Sequence, residues 1–261
     1  MDKQDTVTYL VSYFLKEMPD FMDLFNAGNY SYPYQRKTLR GLLNVRRPSP
    51  LPVDISEKLD ILLRTEREEI NVVGISKLPA TNFSKIGFYA GDITRLAVDA
   101  IVNPATPAML GCFVPGHNCI DNRIHSLAGP RLREDCDQII KAIGHEEVPG
   151  RTHITRGYNL LAKYVIHTVG PTFRNRPSTK DKNDLANCYV SALKRCITNK
   201  VKTVAFPAIS VGENGFISSV AAQIAISTVE DFISEHPEAP VVVFCMEKES
   251  DIAAYDALLN D

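Results

Sequence analysis

From about residue 85 onward, short runs rich in β-branched and aromatic residues alternate with longer amphipathic ones. This alternation restricts the fold more than any other feature of the chain. The runs KIGFYAGDI, VDAIVNPA, THITRGYNL, KYVIHTVGP, KTVAFPAIS and APVVVFCM read as strands. Between or after them, CIDNRIHSLAGPRLREDCDQIIKAIG, DLANCYVSALKRCITNK, SSVAAQIAISTVEDFISEH and SDIAAYDALLND repeat apolar residues at helical spacing. The order predicts an α/β fold with a mostly parallel sheet and helices on both faces. In such sheets ligands bind beyond the carboxyl ends of the strands. Two loops there stand out: NPATPAMLGCFVPGHNC after VDAIV, and PAISVGENGF after TVAF.

Residues 1–80 read differently, as a mainly helical extension ahead of an α/β domain spanning 81–261. TVTYLVSYFLKEM and YQRKTLRGLLNV have helical periodicity, the latter stopped by the proline run in RRPSPLPVD. ISEKLDILLRTEREEI resumes the period, with Asp54 or Ser56 as its expected N-cap. The basic residues from Arg36 to Arg47 read as a solvated face rather than a docking site.

The net charge of −2 requires no nucleic acid or anionic membrane as partner. No apolar run approaches the length needed to span a bilayer, and the N-terminus carries no convincing signal peptide. With six cysteines and no secretion signal, reduced thiols in an intracellular, cytoplasmic setting are expected. Cys136, Cys188, Cys196 and Cys245 sit among core-type residues.

Cys112 and Cys119 are different. With His117 they form a C-x4-H-x-C cluster, and Pro115 and Gly116 let the chain fold back between its members. Thiolates with imidazole suit zinc, and three protein ligands leave one position open, as catalytic rather than structural zinc requires. His125, on the following helix, is a weaker fourth candidate. Spacing alone leaves two readings: a metal centre, or a chance gathering in a loop. The second loop, SVGENGF, places Gly212 and Gly215 before a helix starting near Ser218. There backbone amides can approach a phosphate, although a plain turn has the same signature. Asp92, in AGDIT, reads by itself as a turn or cap residue. His167 reads as a hydrogen-bonded core residue.

Together these segments resemble the macrodomain family, in particular its zinc-containing branch of protein-ADP-ribose hydrolases. The resemblance is carried by GDIT (91–94), VDAIVN (98–103), GCFVPGHNCIDNRIHSLAG (111–129), YVIHTVGP (164–171) and AFPAISVGENGF, and it extends into the N-terminal helices. It implies a three-layer α/β/α macrodomain with a mixed, mostly parallel central sheet, plus the N-terminal helical extension. It further implies one Zn2+ per chain on Cys112, His117 and Cys119, beside the distal ribose of ADP-ribose. Asp92 would accept the adenine amino group, with Ile93 packing nearby. Ser210, Val211, Gly212, Glu213, Asn214, Gly215 and Phe216 would wrap the diphosphate. Asn103 and Asp121 would line the distal ribose, Asp121 also serving to orient or deprotonate the attacking water; its structural alternative is N-cap of the next helix. The implied activity is zinc-dependent removal of mono-ADP-ribose from modified protein side chains by a monomeric enzyme without nucleic-acid or membrane partners.

Certain positions depart from the family pattern. Thr106 stands where a second asparagine is usual, offering one hydroxyl in place of an amide, and Pro104 and Pro107 stiffen that segment. Val211, Glu213 and Asn214 replace the usual residues of the diphosphate loop, and Glu213 adds an anion there. These changes leave two alternatives to a protein de-ADP-ribosylating enzyme: a non-catalytic reader of ADP-ribose, and a hydrolase of O-acetyl-ADP-ribose.

Overall fold

The structure is a computed structural model that describes residues 2–24, 30–212 and 215–260. The chain divides into two compact units. The first comprises Met1–Ile70, Leu110–Gln138 and Tyr158–Leu160; the second comprises Asn71–Met109, Ile139–Gly157 and Leu161–Asp261.

In the first unit, α1 (Lys3–Glu17), α2 (Tyr32–Val45) and α3 (Val53–Glu68) bury one apolar stripe each. Val7, Leu10 and Phe14 of α1 meet Leu39 and Leu42 of α2 and Ile55, Leu59 and Leu62 of α3 in one cluster. Asp2 caps α1 by accepting from the Asp5 amide at 2.8 Å. The expected cap of α3 is corrected: Pro52 occupies the N-cap, and neither Asp54 nor Ser56 does. Proline cannot continue a helix backward, so the helix begins directly after it, and Asp54 falls in the first turn, still favourable to the positive helix end.

The basic stretch is not a plain solvated face either. Arg46 is only 4% exposed and pairs with Glu17, Arg36 pairs with Glu66, and Arg40 turns toward the 112–122 segment. The helical run expected over 119–144 is two helices, α4 (Ile120–Ala128) and α5 (Pro130–Ile143), the latter running on into the second unit. Gly129, at φ +92, turns the chain between them, and proline follows it.

The second unit is built on a six-stranded sheet of β2 (Ile86–Ala90), β4 (Ala100–Ala105), β5 (Thr152–Arg156), β6 (Tyr164–Val169), β7 (Thr203–Phe206) and β8 (Val241–Met246). Two dipeptide strands, β1 (Val73–Gly74) and β3 (Leu96–Ala97), pair separately. The main sheet has the order β2-β8-β7-β4-β6-β5, parallel except where β5 meets β6. Its register aligns Ile86 with Val242, Val242 with Val204 and Val204 with Ala100. Two residues further along, Phe88, Phe244 and Phe206 lie side by side. These rows bury against α6 (Thr179–Thr198), α7 (Ser218–Glu235) and α8 (Glu249–Asn260). Ile101, Val165, Ala205 and Val243, at the alternate positions, are equally buried, as parallel sheets require. Among the described residues no helix is long and apolar enough to cross a membrane.

Candidate metal centre and ligand loops

Cys112, His117 and Cys119 lie in the first unit, on a loop that leads into α4. The turn that brings them together is local: the His117 amide donates to the Val114 carbonyl at 3.2 Å, across Pro115 and a Gly116 at φ +65. Proline then glycine with positive φ is the chemistry such a turn demands. Cys112 Sγ and His117 Nδ1 are 3.4 Å apart, and the donor atoms of all three residues fall within 4.8 Å of one another. Gly111, at φ +75, begins the loop beside the His125 ring, where a Cβ would sit 2.9 Å from two ring carbons.

Cys119 also caps α4, its Sγ accepting from the Asn122 amide at 3.4 Å. This corrects the alternative reading of Asp121 as N-cap: sulfur takes that place, and Asp121 is buried in the first turn. Asp121 Oδ1 lies 3.5 Å from His125 Nε2, one helical turn on. Burial pushes the Cys119 thiol up to about 11, and the nearby Cys112 and Asp121 charges act the same way. Two sulfurs and an imidazole nitrogen held this close fit a divalent ion of zinc's preference.

Sequence reading missed the residues that hold this loop. Asn122, fully buried, donates from Nδ2 to the Cys112 and Val114 carbonyls at 3.4 and 3.1 Å. Its Oδ1 accepts from Arg40 Nη2 and Ser126 Oγ. Asn44 Oδ1 accepts from the Gly116 amide at 2.9 Å, while its Nδ2 donates to Ser126 Oγ. Arg133, 5% exposed, donates from Nη1 to the carbonyls of Leu43, Asn44 and Arg46 at the end of α2, and stacks on Phe113 of the loop. Burial lowers its pKa to about 10, against the attraction of Asp121. The N-terminal helices and the 111–119 loop are therefore parts of one unit. Asn122 lies within the quoted IDN run; nothing in the sequence singles out Arg40, Asn44 or Arg133.

The remaining expected ligand residues lie in the second unit. Asp92, Thr106 and Ser210 follow the carboxyl ends of the parallel strands β2, β4 and β7, hence the same edge of the sheet. Asp92 caps a short 3-10 turn by accepting from the Thr94 amide and hydroxyl at 2.9 and 2.7 Å. Ile93 is buried beside it. Asn103, in register with His167, is fully buried, its Nδ2 3.2 Å from His167 Nδ1; the other ring nitrogen meets Thr155 Oγ1 at 3.0 Å. His167 is thus a hydrogen-bonded core residue as expected, pushed down to about 3 by burial. Thr106 is exposed and opens a turn closed by the Met109 amide.

The loop from Ser210 is tightly wound. Ser210 has φ +55, the Phe216 amide donates to its carbonyl at 2.7 Å, and Val211 bridges Phe216. A Cβ on Gly215 would lie 2.1 Å from that carbonyl, and one on Gly170 would lie 2.0 Å from Ser210 Oγ. Gly212 has φ +118 with open space around it, and Phe216 is buried edge-to-face against Phe173. Glu213 and Asn214 lie outside the described residues.

A mixed, mostly parallel sheet covered by helices, with loops of ligand-binding type at its carboxyl edge, is an α/β ligand-binding fold. The Macro domain model matches residues 102–225. The chain is 38% identical to the protein-ADP-ribose hydrolase of Treponema medium over 263 aligned positions, covering 100% of both chains. It is 41% identical to the protein-ADP-ribose hydrolase of Staphylococcus aureus strain COL, covering 85% of this chain and 83% of that one. Among solved structures it resembles the Trypanosoma brucei macrodomain in complex with ADP-ribose, at 27% identity and a TM-score of 0.65, covering 80% and 91% of the two chains. The chain belongs to the macrodomain family.

Proposed function

We propose that the chain is a zinc-dependent hydrolase that releases mono-ADP-ribose from modified protein side chains. The observation that carries this reading is the Cys112–His117–Cys119 cluster with its donors within 4.8 Å. End-to-end similarity to a relative named for protein-ADP-ribose hydrolysis supports the same activity. Two sulfurs and an imidazole would hold zinc and leave its fourth position exchangeable. When bound, the ion supplies Lewis acidity to an oxygen of the sugar–protein linkage.

Breaking the bond from ribose C1″ to a side-chain oxygen leaves positive charge on the sugar and negative charge on the leaving group. The protein's own residues must therefore grip the nucleotide, orient a water and take up its proton. In this reading Asp121 orients the water and accepts the proton. Its burial excludes competing solvent from that carboxylate. Asn103 holds the distal ribose through its amide, an orientation fixed by His167. Asp92 accepts the adenine amino group, with Ile93 packing beside it, and Thr106 offers its hydroxyl nearby. The amides from Ser210 to Phe216, at the approach to α7, take the diphosphate.

The test is release of ADP-ribose from a mono-ADP-ribosylated protein, assayed as purified, after chelation and after zinc is restored. Turnover lost on chelation and regained with zinc is expected. Saturable ADP-ribose binding with no turnover on carboxylate-, serine- or arginine-linked substrates would instead make the chain a reader.

A further inference from the structure

The second unit contains a cavity of about 380 Å³ between the edge strand β5 and α6. None of the residues assigned above to ADP-ribose lines it. Its walls carry Arg151, Lys194 and Arg195, with His145 and His153, and a single carboxylate, Glu147. Glu147 is already engaged: its side chain is hydrogen bonded to His153 and accepts from the Val148 amide at 2.8 Å. Three permanent cations against one carboxylate leave a net charge of +2 with both histidines neutral. Arg151 and Lys194 are exposed and form no salt bridge among the described residues.

The walls are ordered in advance. Arg195 donates from Nε and Nη2 to the Thr152 carbonyl at 3.3 and 3.2 Å, and Ser191 Oγ donates to the Gly150 carbonyl at 2.8 Å. A concave site with uncompensated positive charge concentrates small anions. Two guanidinium groups, an ammonium and two imidazoles offer many N–H donors, the complement of a phosphate's oxygens. The volume lies within the range of small-molecule sites.

We propose that this cavity is a second ligand site, one that takes a small phosphorylated anion. The probe is inorganic pyrophosphate, titrated into the full chain at constant ionic strength and followed by backbone amide chemical shifts. Saturable shifts are expected at Thr152, His153, Ser191 and Thr198. In the double variant Arg151→Ala/Lys194→Ala those shifts should weaken at least about tenfold in affinity, equivalent to about 1.4 kcal/mol. Any response in the Ser210–Phe216 loop should persist in the variant, which separates this site from the one proposed for ADP-ribose. Absence of saturable shifts at the four amides would overturn the proposal. So would shifts that survive the double substitution, or that sodium chloride reproduces.

Discussion

Arg40 Nη2 donates both to the His117 carbonyl at 3.0 Å and to Asn122 Oδ1 at 2.8 Å. One guanidinium on α2 thus holds the backbone of an expected metal ligand and the buried amide that supports Cys112. The N-terminal helices are part of the frame of the candidate centre. Outer groups of this kind set the orientation of metal ligands, and losing one typically costs about 10- to 100-fold in affinity. Arg40→Ala is therefore expected to weaken zinc retention by that order, read by competition with a chromogenic chelator. Unchanged affinity would show that the loop holds its shape without Arg40.

Gly111 tolerates no side chain, because its backbone is left-handed and a Cβ would meet the His125 ring at 2.9 Å. Gly111→Ala combines backbone strain with overpacking and is expected to cost about 2 kcal/mol. Chemical denaturation of the full chain measures this, and a loss below about 0.5 kcal/mol would contradict the close approach.

Ser210 adopts its left-handed conformation against Gly170, where a Cβ would fall 2.0 Å from the hydroxyl oxygen. The same Cβ would lie 2.9 Å from Ile209 Cγ2 and 3.3 Å from Ser210 Cβ, so Gly170→Ala is expected to shift the segment that carries the amides proposed to take the diphosphate. ADP-ribose affinity is expected to drop about tenfold or more, near 1.4 kcal/mol, by calorimetry. Wild-type affinity in the variant would remove this loop from the binding site.

His167 makes stability depend on pH. Burial holds the imidazole neutral, with a folded pKa of about 3 against an ordinary value of 6.5. Between those values the unfolded chain binds the proton and the folded chain does not. Stability is therefore complete above about pH 6.5 and falls as pH drops toward about 3, by up to about 1.4 kcal/mol per unit from this group. His167→Gln lowers stability overall but cannot titrate, so its denaturation midpoint should change less between about pH 7 and about pH 5. Equal pH dependence in the two proteins would contradict the buried neutral imidazole.

The six main strands could be read from the sequence because β-branched residues cluster there and both faces are buried. β1 and β3 could not, since two residues carry no period. The Gly129–Pro130 break was present in the sequence, yet helical periodicity on both sides masked it. α6 begins at Thr179 rather than near Asp184, and its capping box of Ser178 and Asp181 marks that start. The gathering of Cys112, His117 and Cys119 was legible because the three lie within eight consecutive residues. Its supports were not: Arg40 and Asn122 are 82 positions apart, as are Asn44 and Ser126, and only folding joins them.

The measurement that bears most directly on the proposed centre is zinc per chain, by elemental mass spectrometry, on protein purified without added metal and assayed in parallel for ADP-ribose release. Stoichiometric zinc with turnover in the wild type, and loss of both in Cys112→Ser/His117→Ala that still folds, is the predicted result. A zinc-free wild type that releases ADP-ribose at full rate in the presence of chelator would contradict it.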